Sequence, residues 1–243
     1  MSTVMLDQIA KRLDAIRQSL RWALWAHSLW YSGAIDDDLR ARVGRSEAQH
    51  AVGRAGAILH QGAILSLTRA WDGKKGTGSL PALATQLRLA AKNASVLQLI
   101  AAARGDDGRR RFAVDANRLA DRIDQETAGE EVKALARLRH EFLAHARFDA
   151  PEAAGRWAEV GDERKLLERT VPLVDELYLL VHGSWEVGFG VPLVEEHMTI
   201  RALGPLLWAG VRAETDDERN AYLERRYDLK HPHDKGADDR DEH

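Results

Sequence analysis

Leu6, Ile9, Leu13, Ile16, Leu20 and Leu24 recur at spacings of three and four, the repeat of one face of an α-helix, and predict a helix from about Thr3 to Tyr31. Trp22, Trp25 and Trp30 widen its apolar face, and tryptophans at helical spacing are read as packing in a core or an interface. A second helix is predicted from about Glu47 to Trp71 through Val52, Ile58, Leu59, Leu65 and Leu67, ended by Asp72-Gly73-Lys74-Lys75-Gly76-Thr77-Gly78, which has no apolar residue. Ser79 as N-cap and Pro81 in the first turn open a third, Ser79 to about Ala103, and Gly105-Asp106-Asp107-Gly108 is expected to break it. Arg109 to about Thr127 reads as a fourth. A fifth follows Gly129, carries Ala134, Leu135, Leu138, Phe142 and Leu143, and must stop near Pro151. The stripe Leu166, Leu167, Val171, Val174, Leu177, Val181 and Trp185 marks another helix from about Arg164, with Pro172 as a possible kink.

Alternating β-branched runs are absent, so the expected fold class is all-α, an up-and-down bundle over residues 1–190. Leu193 to about Val211 and Asp216 to about Leu229 read as a helical extension within 191–230. The segment 231–243 has no large apolar side chain and is expected to be a disordered acidic tail.

Composition narrows the chemistry. Apolar residues at 44% and charged residues at 30% are those of a globular protein. No cysteine is present, which removes disulfides, thiolate metal sites and cysteine nucleophiles. The first twenty residues mix Asp7, Lys11, Arg12, Asp14 and Arg17 among apolar positions, unlike a signal peptide, and no apolar run is long enough for a membrane span, so the expected place is the cytoplasm, with no membrane partner. Set aside the two basic and five acidic residues of His231–His243, and 33 of each sign are left. A neutral body does not advertise nucleic-acid binding through bulk charge, so RNA would need a local basic patch. Arg111, Arg118 and Arg122 share a helix face and could track phosphates, but Asp115, Asp121 and Asp124 interleave, and a solvated, salt-bridged face is the competing reading. His27, His50, His60, His182 and His197 stand alone without metal-ligand spacing and read as structural; no cofactor or metal is expected.

The segment Arg137-Leu138-Arg139-His140-Glu141-Phe142-Leu143-Ala144-His145-Ala146-Arg147-Phe148-Asp149 crowds permanent cations and two imidazoles between apolar residues. Six positions separate Arg139 from His145, about 120° off one face of an unbroken helix, so they converge only if the helix bends or ends between them, or if each faces a different copy. A histidine titrating near working pH can move a proton in phosphodiester cleavage while a guanidinium faces the phosphate oxygens. The bland reading is an ion pair at a helix end, Arg139 with Glu141 or Asp149 and His145 capping carbonyls.

Arg139 to His145 fits the R-x5-H form of the HEPN signature, and Leu138 to Asp149 most resembles AbiU-type HEPN proteins linked with abortive phage infection. Leu65-Ser66-Leu67-Thr68-Arg69-Ala70-Trp71-Asp72 followed by Ser79-Leu80-Pro81 is similar to the segment these proteins place before the motif helix, and the likeness covers roughly Leu6 to Trp185. The resemblance implies a helical bundle that forms a homodimer around one cleft, and a metal-independent endoribonuclease acting as a toxin or phage-defence effector on an RNA substrate. Arg139 would stabilise the transition state, His145 would be general acid or base, and His140 would orient substrate. Arg111, Arg118, Arg122 and Arg147 would hold the RNA, and an antitoxin or regulatory protein would hold the activity in check. The alternative is a catalytically inactive HEPN scaffold that binds a partner protein or nucleotide. His140 stands where Asn or Asp is common in the family, and Glu141 adds negative charge beside it.

Overall fold

The structure is a computed structural model that describes residues 2–35, 37–43, 48–73, 78–140, 159, 161–183, 192–195, 198–199 and 208. Its helices are α1 (Ser2–Ala34), α2 (Asp37–Val43), α3 (Ala48–Ala70), α4 (Leu80–Lys92), α5 (Ala94–Thr127), α6 (Glu130–Leu138) and α7 (Asp162–His182). Among the described residues there is no strand, so the fold is an all-α bundle. The predicted stretch Glu141 to Pro151, most of the 191–230 extension, the tail 231–243 and the loop positions 74–77 lie outside the described residues.

The stripe read on the first helix is the spine of the core. Ile9, Leu13, Ile16, Leu20 and Leu24 are each fully buried. Their helix packs on α3 and also meets α4, α5 and α7. Each such leucine or isoleucine taken out of water contributes roughly 1.5–3 kcal/mol before the entropy of ordering is set against it. Phe112, Leu119 and Ile123 of α5 and Leu166, Leu167, Val174 and Leu177 of α7 complete the same cluster.

The second predicted face is a correction. On α3 the buried side is Ala63, Ile64, Leu67 and Ala70, continuing into Trp71, whereas Ile58 and Leu65 point outward at 69% and 39% exposure. The unbroken run Ala63-Ile64-Leu65 fits two helix faces, and the side with the small Ala63 and Ala70 is the one that is covered. Trp22 and Trp25 are likewise exposed, and among the described tryptophans Trp71 is the one in the buried core.

The third and fourth predicted helices are also re-divided. The break falls at Asn93, where the side-chain oxygen accepts from the amides of Ser95 at 3.0 Å and Val96 at 3.1 Å and so opens α5. The break expected at Gly105 is present as well: its backbone leaves helical geometry at φ 73 and ψ 177, a conformation that glycine tolerates, so α5 is two helical stretches joined at a kink, the second reaching Thr127. The short α2 was not expected; Leu39 and Val43 bury its inner side.

Two polar fixtures close α7. Arg104 donates to the carbonyls of Leu180 at 2.8 Å and Val181 at 2.7 Å, groups that a helix C-terminus leaves without partners, and Gly183 ends the helix at φ 83. Asp175, buried in the middle of α7, accepts from the amides of Leu193 and Val194 at 3.0 and 3.1 Å, fastening the start of the next helical segment. Leu193, assigned from the sequence to the extension, is fully buried in the bundle core.

The spine predicts a contrast that urea unfolding of two variants would measure. Leu20→Ala is expected to cost roughly 2–5 kcal/mol, since it empties a fully buried site. Ile58→Ala, on the outer face of α3, is expected to stay within about 0.5 kcal/mol. Equal losses would contradict the assignment of faces.

Candidate functional site

At its C-terminus α3 stops in a turn that sends two neighbouring side chains to two different helices. Trp71 goes inward: its indole Nε1 donates to Thr170 Oγ1 of α7 at 3.0 Å, and Thr170 in turn donates to the carbonyl of Leu166 at 2.6 Å. Asp72, the next residue, accepts from Arg139 Nη1 at 3.2 Å. The two side chains of that pair are 22% and 17% exposed, so it is largely but not wholly withdrawn from water.

Arg139 is delivered to this place by α6. Gly129 begins that helix, Glu130 and Glu131 sit in its first turn where the helix dipole favours negative charge, and Val132, Ala134 and Leu135 bury one side. Arg169 of α7 grips Glu126 at 3.1 Å and Glu131 at 3.2 Å. A bond to its own backbone amide, followed by Arg169, holds the Glu131 carboxyl below its usual range. After Leu138 the chain keeps right-handed dihedrals at Arg139, whose amide reaches the carbonyls of both Ala136 and Leu135. Through Arg139 and His140 it then widens into a π-type turn. Such insertions alter which side chains share a face and recur at functional sites. His140 is exposed.

Of the sequence-predicted motif, then, Arg139 and His140 are placed, while His145 and Arg147 lie outside the described residues. Asp72 is a partner of Arg139 that the sequence reading did not assign. The basic stripe is engaged differently from a phosphate track. Arg118 donates to Asp115 at 3.2 Å and to Glu176 of α7 at 3.0 Å, and Arg122 donates to the other oxygen of Glu176 at 2.7 Å. Asp121 and Asp124 belong to Arg88 of α4, at 2.6 and 2.7 Å. The pairs tie α5 to α7 and α4, the salt-bridged face weighed against RNA binding. Arg111 lines a cavity of about 380 Å³ with Arg104, Arg118 and Glu176.

A second polar group went unread because its members are remote in sequence. Glu163, in the first turn of α7, is 3% exposed and meets His60 Nε2 of α3 at 3.5 Å and His27 Nε2 of α1 at 3.9 Å. Burial pushes its carboxyl up, but the bond from His60, its own backbone amide and the two imidazoles outweigh that, and it titrates below its ordinary 4.5. Arg164 beside it donates to the Tyr31 hydroxyl at 3.2 Å. Among the described residues no three His, Cys, Asp or Glu side chains are grouped to hold a metal ion.

A family model described as AbiU2, of the HEPN group, matches residues 6–196. The chain belongs to the HEPN AbiU2 family. The span takes in both sides of the Asp72–Arg139 pair, together with His145, and ends just after the amides held by Asp175. An all-α bundle is what membership in this HEPN family leads one to expect. No curated protein and no solved structure matches the chain. Among the described residues no helix is long and apolar enough to cross a membrane.

The Glu163 group has a pH signature. Because the folded-state carboxyl titrates below the unfolded one, its contribution is present above about pH 4.5 and is lost as pH falls through the lower folded value. Glu163→Gln should therefore melt at a lower temperature than wild type near neutrality, with the gap narrowing in melts taken below about pH 4.5. A gap that is constant or grows on acidification would refute this account of Glu163.

Proposed function

We propose that this AbiU2-family protein is a metal-independent endoribonuclease of HEPN type, serving as a toxin or phage-defence effector. The observation that carries the reading is the setting of Arg139, a guanidinium fixed by Asp72 through one Nη while part of its surface stays open. A guanidinium offers five N–H donors in a rigid fork, and this bond occupies one. The others can face a phosphate. Charge building on the non-bridging oxygens as the RNA 2′-OH attacks phosphorus would be met by a cation already held in place, which adds no reorganisation at the moment of reaction.

On this reading His145 takes the 2′-OH proton as the new O–P bond forms, a proton is returned to the departing 5′ oxygen, and the products are a 2′,3′-cyclic phosphate and a 5′-OH end. His140, exposed beside Arg139, would orient substrate. Arg118 and Arg122, paired with Glu176, serve the bundle in the first place; Arg111 and Arg147 are the better candidates for phosphate contacts. The active form would be a homodimer with two motifs along one cleft, and an antitoxin or regulatory protein would restrain it.

The second reading, a catalytically silent HEPN scaffold that binds a partner protein or a nucleotide, draws on the same pair, since an arginine committed to a carboxylate can be purely structural. Cleavage of labelled RNA in EDTA separates the two. The ribonuclease reading expects wild type to cut and leave cyclic phosphate ends, and Arg139→Ala and His145→Ala to fall at least about 100-fold. Asp72→Asn should lower kcat roughly 10-fold with little change in KM, because it loosens the guanidinium without removing it. No cutting, or equal cutting by all four proteins, would leave the scaffold as the account.

A further inference from the structure

On the outer side of α1 and α3 lies an apolar face that nothing among the described residues covers. A groove of about 350 Å³ is lined there by Trp22, Trp25, Leu29 and Leu59, with polar Gln18 and Arg21. Trp22 is 64% exposed, and on α3 Ile58 and Leu65 also point outward. Gly62, on the helix between them, would carry a Cβ with nothing within 4 Å. Two indoles and two branched chains gathered on one patch mark a contact surface, since the surface of a soluble chain rarely collects so much apolar area without a partner for it.

The charge of this face is one-sided. Residues 15–34 of α1 and the 23 residues of α3 contain no Asp or Glu, although the chain has 38 acids in 243 residues. Arg54 stands one turn before Ile58 and Arg69 one turn after Leu65, both exposed, so cations flank the apolar stripe at each end. The chain itself is pinned beside the groove. Trp208 donates from its indole to the carbonyl of Leu29 at 2.8 Å, and a Cβ on Gly33 would come within 2.8 Å of that ring. Trp30 and Trp208 line a neighbouring cavity of about 540 Å³. The residues that follow Trp208 carry what the face lacks: Glu214, Asp216, Asp217 and Glu218 are bunched together, and Tyr222, Leu223, Tyr227 and Leu229 come after them.

We infer that segment 214–229 of the same chain docks on this face, its acids beside Arg54 and its tyrosines and leucines in the groove beside Trp22 and Trp25. The inference stands whether or not the chain cuts RNA. The dimensions agree: segment 216–229, read from the sequence as a helix, would be about 21 Å long, and the lined stretch of α1 from Gln18 to Leu29 runs about 16 Å. Seven residues, 209–215, can bridge up to about 23 Å from the anchored Trp208. A second copy seated here would set cations against cations, which is unfavourable. A helix of another protein would have to displace a segment already tethered at an effective concentration on the order of 1 mM.

The test is fluorine NMR of the full chain grown with 5-fluorotryptophan, its signals assigned by single Trp→Phe substitutions. The quantity read at each indole is the shift on passing from H2O to D2O, which grows with contact with water. Trp22 and Trp25 are expected to show shifts as small as that of buried Trp71. In the full chain carrying Asp216→Lys, Asp217→Lys and Glu218→Lys, both should rise toward the shift of the free amino acid. Arg54→Glu should move them the same way, and joined to the three lysines it should bring part of the shielding back. Trp71 should stay unchanged in every variant, which reports an intact bundle. Large shifts at Trp22 and Trp25 in wild type, shielding that survives the three lysines, or shielding lost on dilution, as a second copy would give, would each overturn the proposal.

Discussion

The end of α3 is the point on which the site depends. Trp71 and Asp72 are consecutive, yet one is pinned to Thr170 in the core and the other holds Arg139 at the motif. Because the indole is buried and hydrogen-bonded, Asp72 projects from a fixed turn, and the guanidinium it meets is positioned against the bundle as a whole. An arginine on an isolated helix end would spread over many rotamers, and restricting them before substrate arrives removes an entropic cost that binding would otherwise bear.

The long α7 works as the other half of this frame. From one end to the other it presents Glu163 to His27 and His60, Thr170 to Trp71, Asp175 to the segment at Leu193, and Glu176 to Arg118 and Arg122. Pro172 has no N–H to give the carbonyl of Glu168, yet α7 runs through it to His182. The polar anchors decide where neighbouring helices stand, while the apolar stripe between them supplies the cohesion.

Much of this was legible in the sequence where periodicity was strong. The Leu6–Leu24 stripe and the Leu166–Leu177 stripe both fold as read, because each has a single apolar face. Reading failed where local signals were ambiguous: Ala63-Ile64-Leu65 fits two faces, and Asn93 caps a helix from inside a run that looked continuous, whereas the break read at Gly105 is there as a positive-φ kink. The candidate site was half legible. Arg139 and the Arg69-Ala70-Trp71-Asp72 segment were both singled out, the latter through resemblance alone, but their contact joins positions 67 apart and no spacing rule encodes it. The meeting of His27, His60 and Glu163, and of Trp30 with Trp208 across one cavity, is likewise a property of the packed bundle.

The central claim is that Asp72 and Arg139 act on each other as a unit. A double-mutant cycle on unfolding free energy, using Asp72→Ala, Arg139→Ala and the double variant, measures this directly. The account predicts a favourable coupling of about 1 kcal/mol, between the range for exposed pairs and that for buried ones. Strictly additive losses, with coupling under about 0.3 kcal/mol, would contradict it and make the contact incidental to the placement of Arg139.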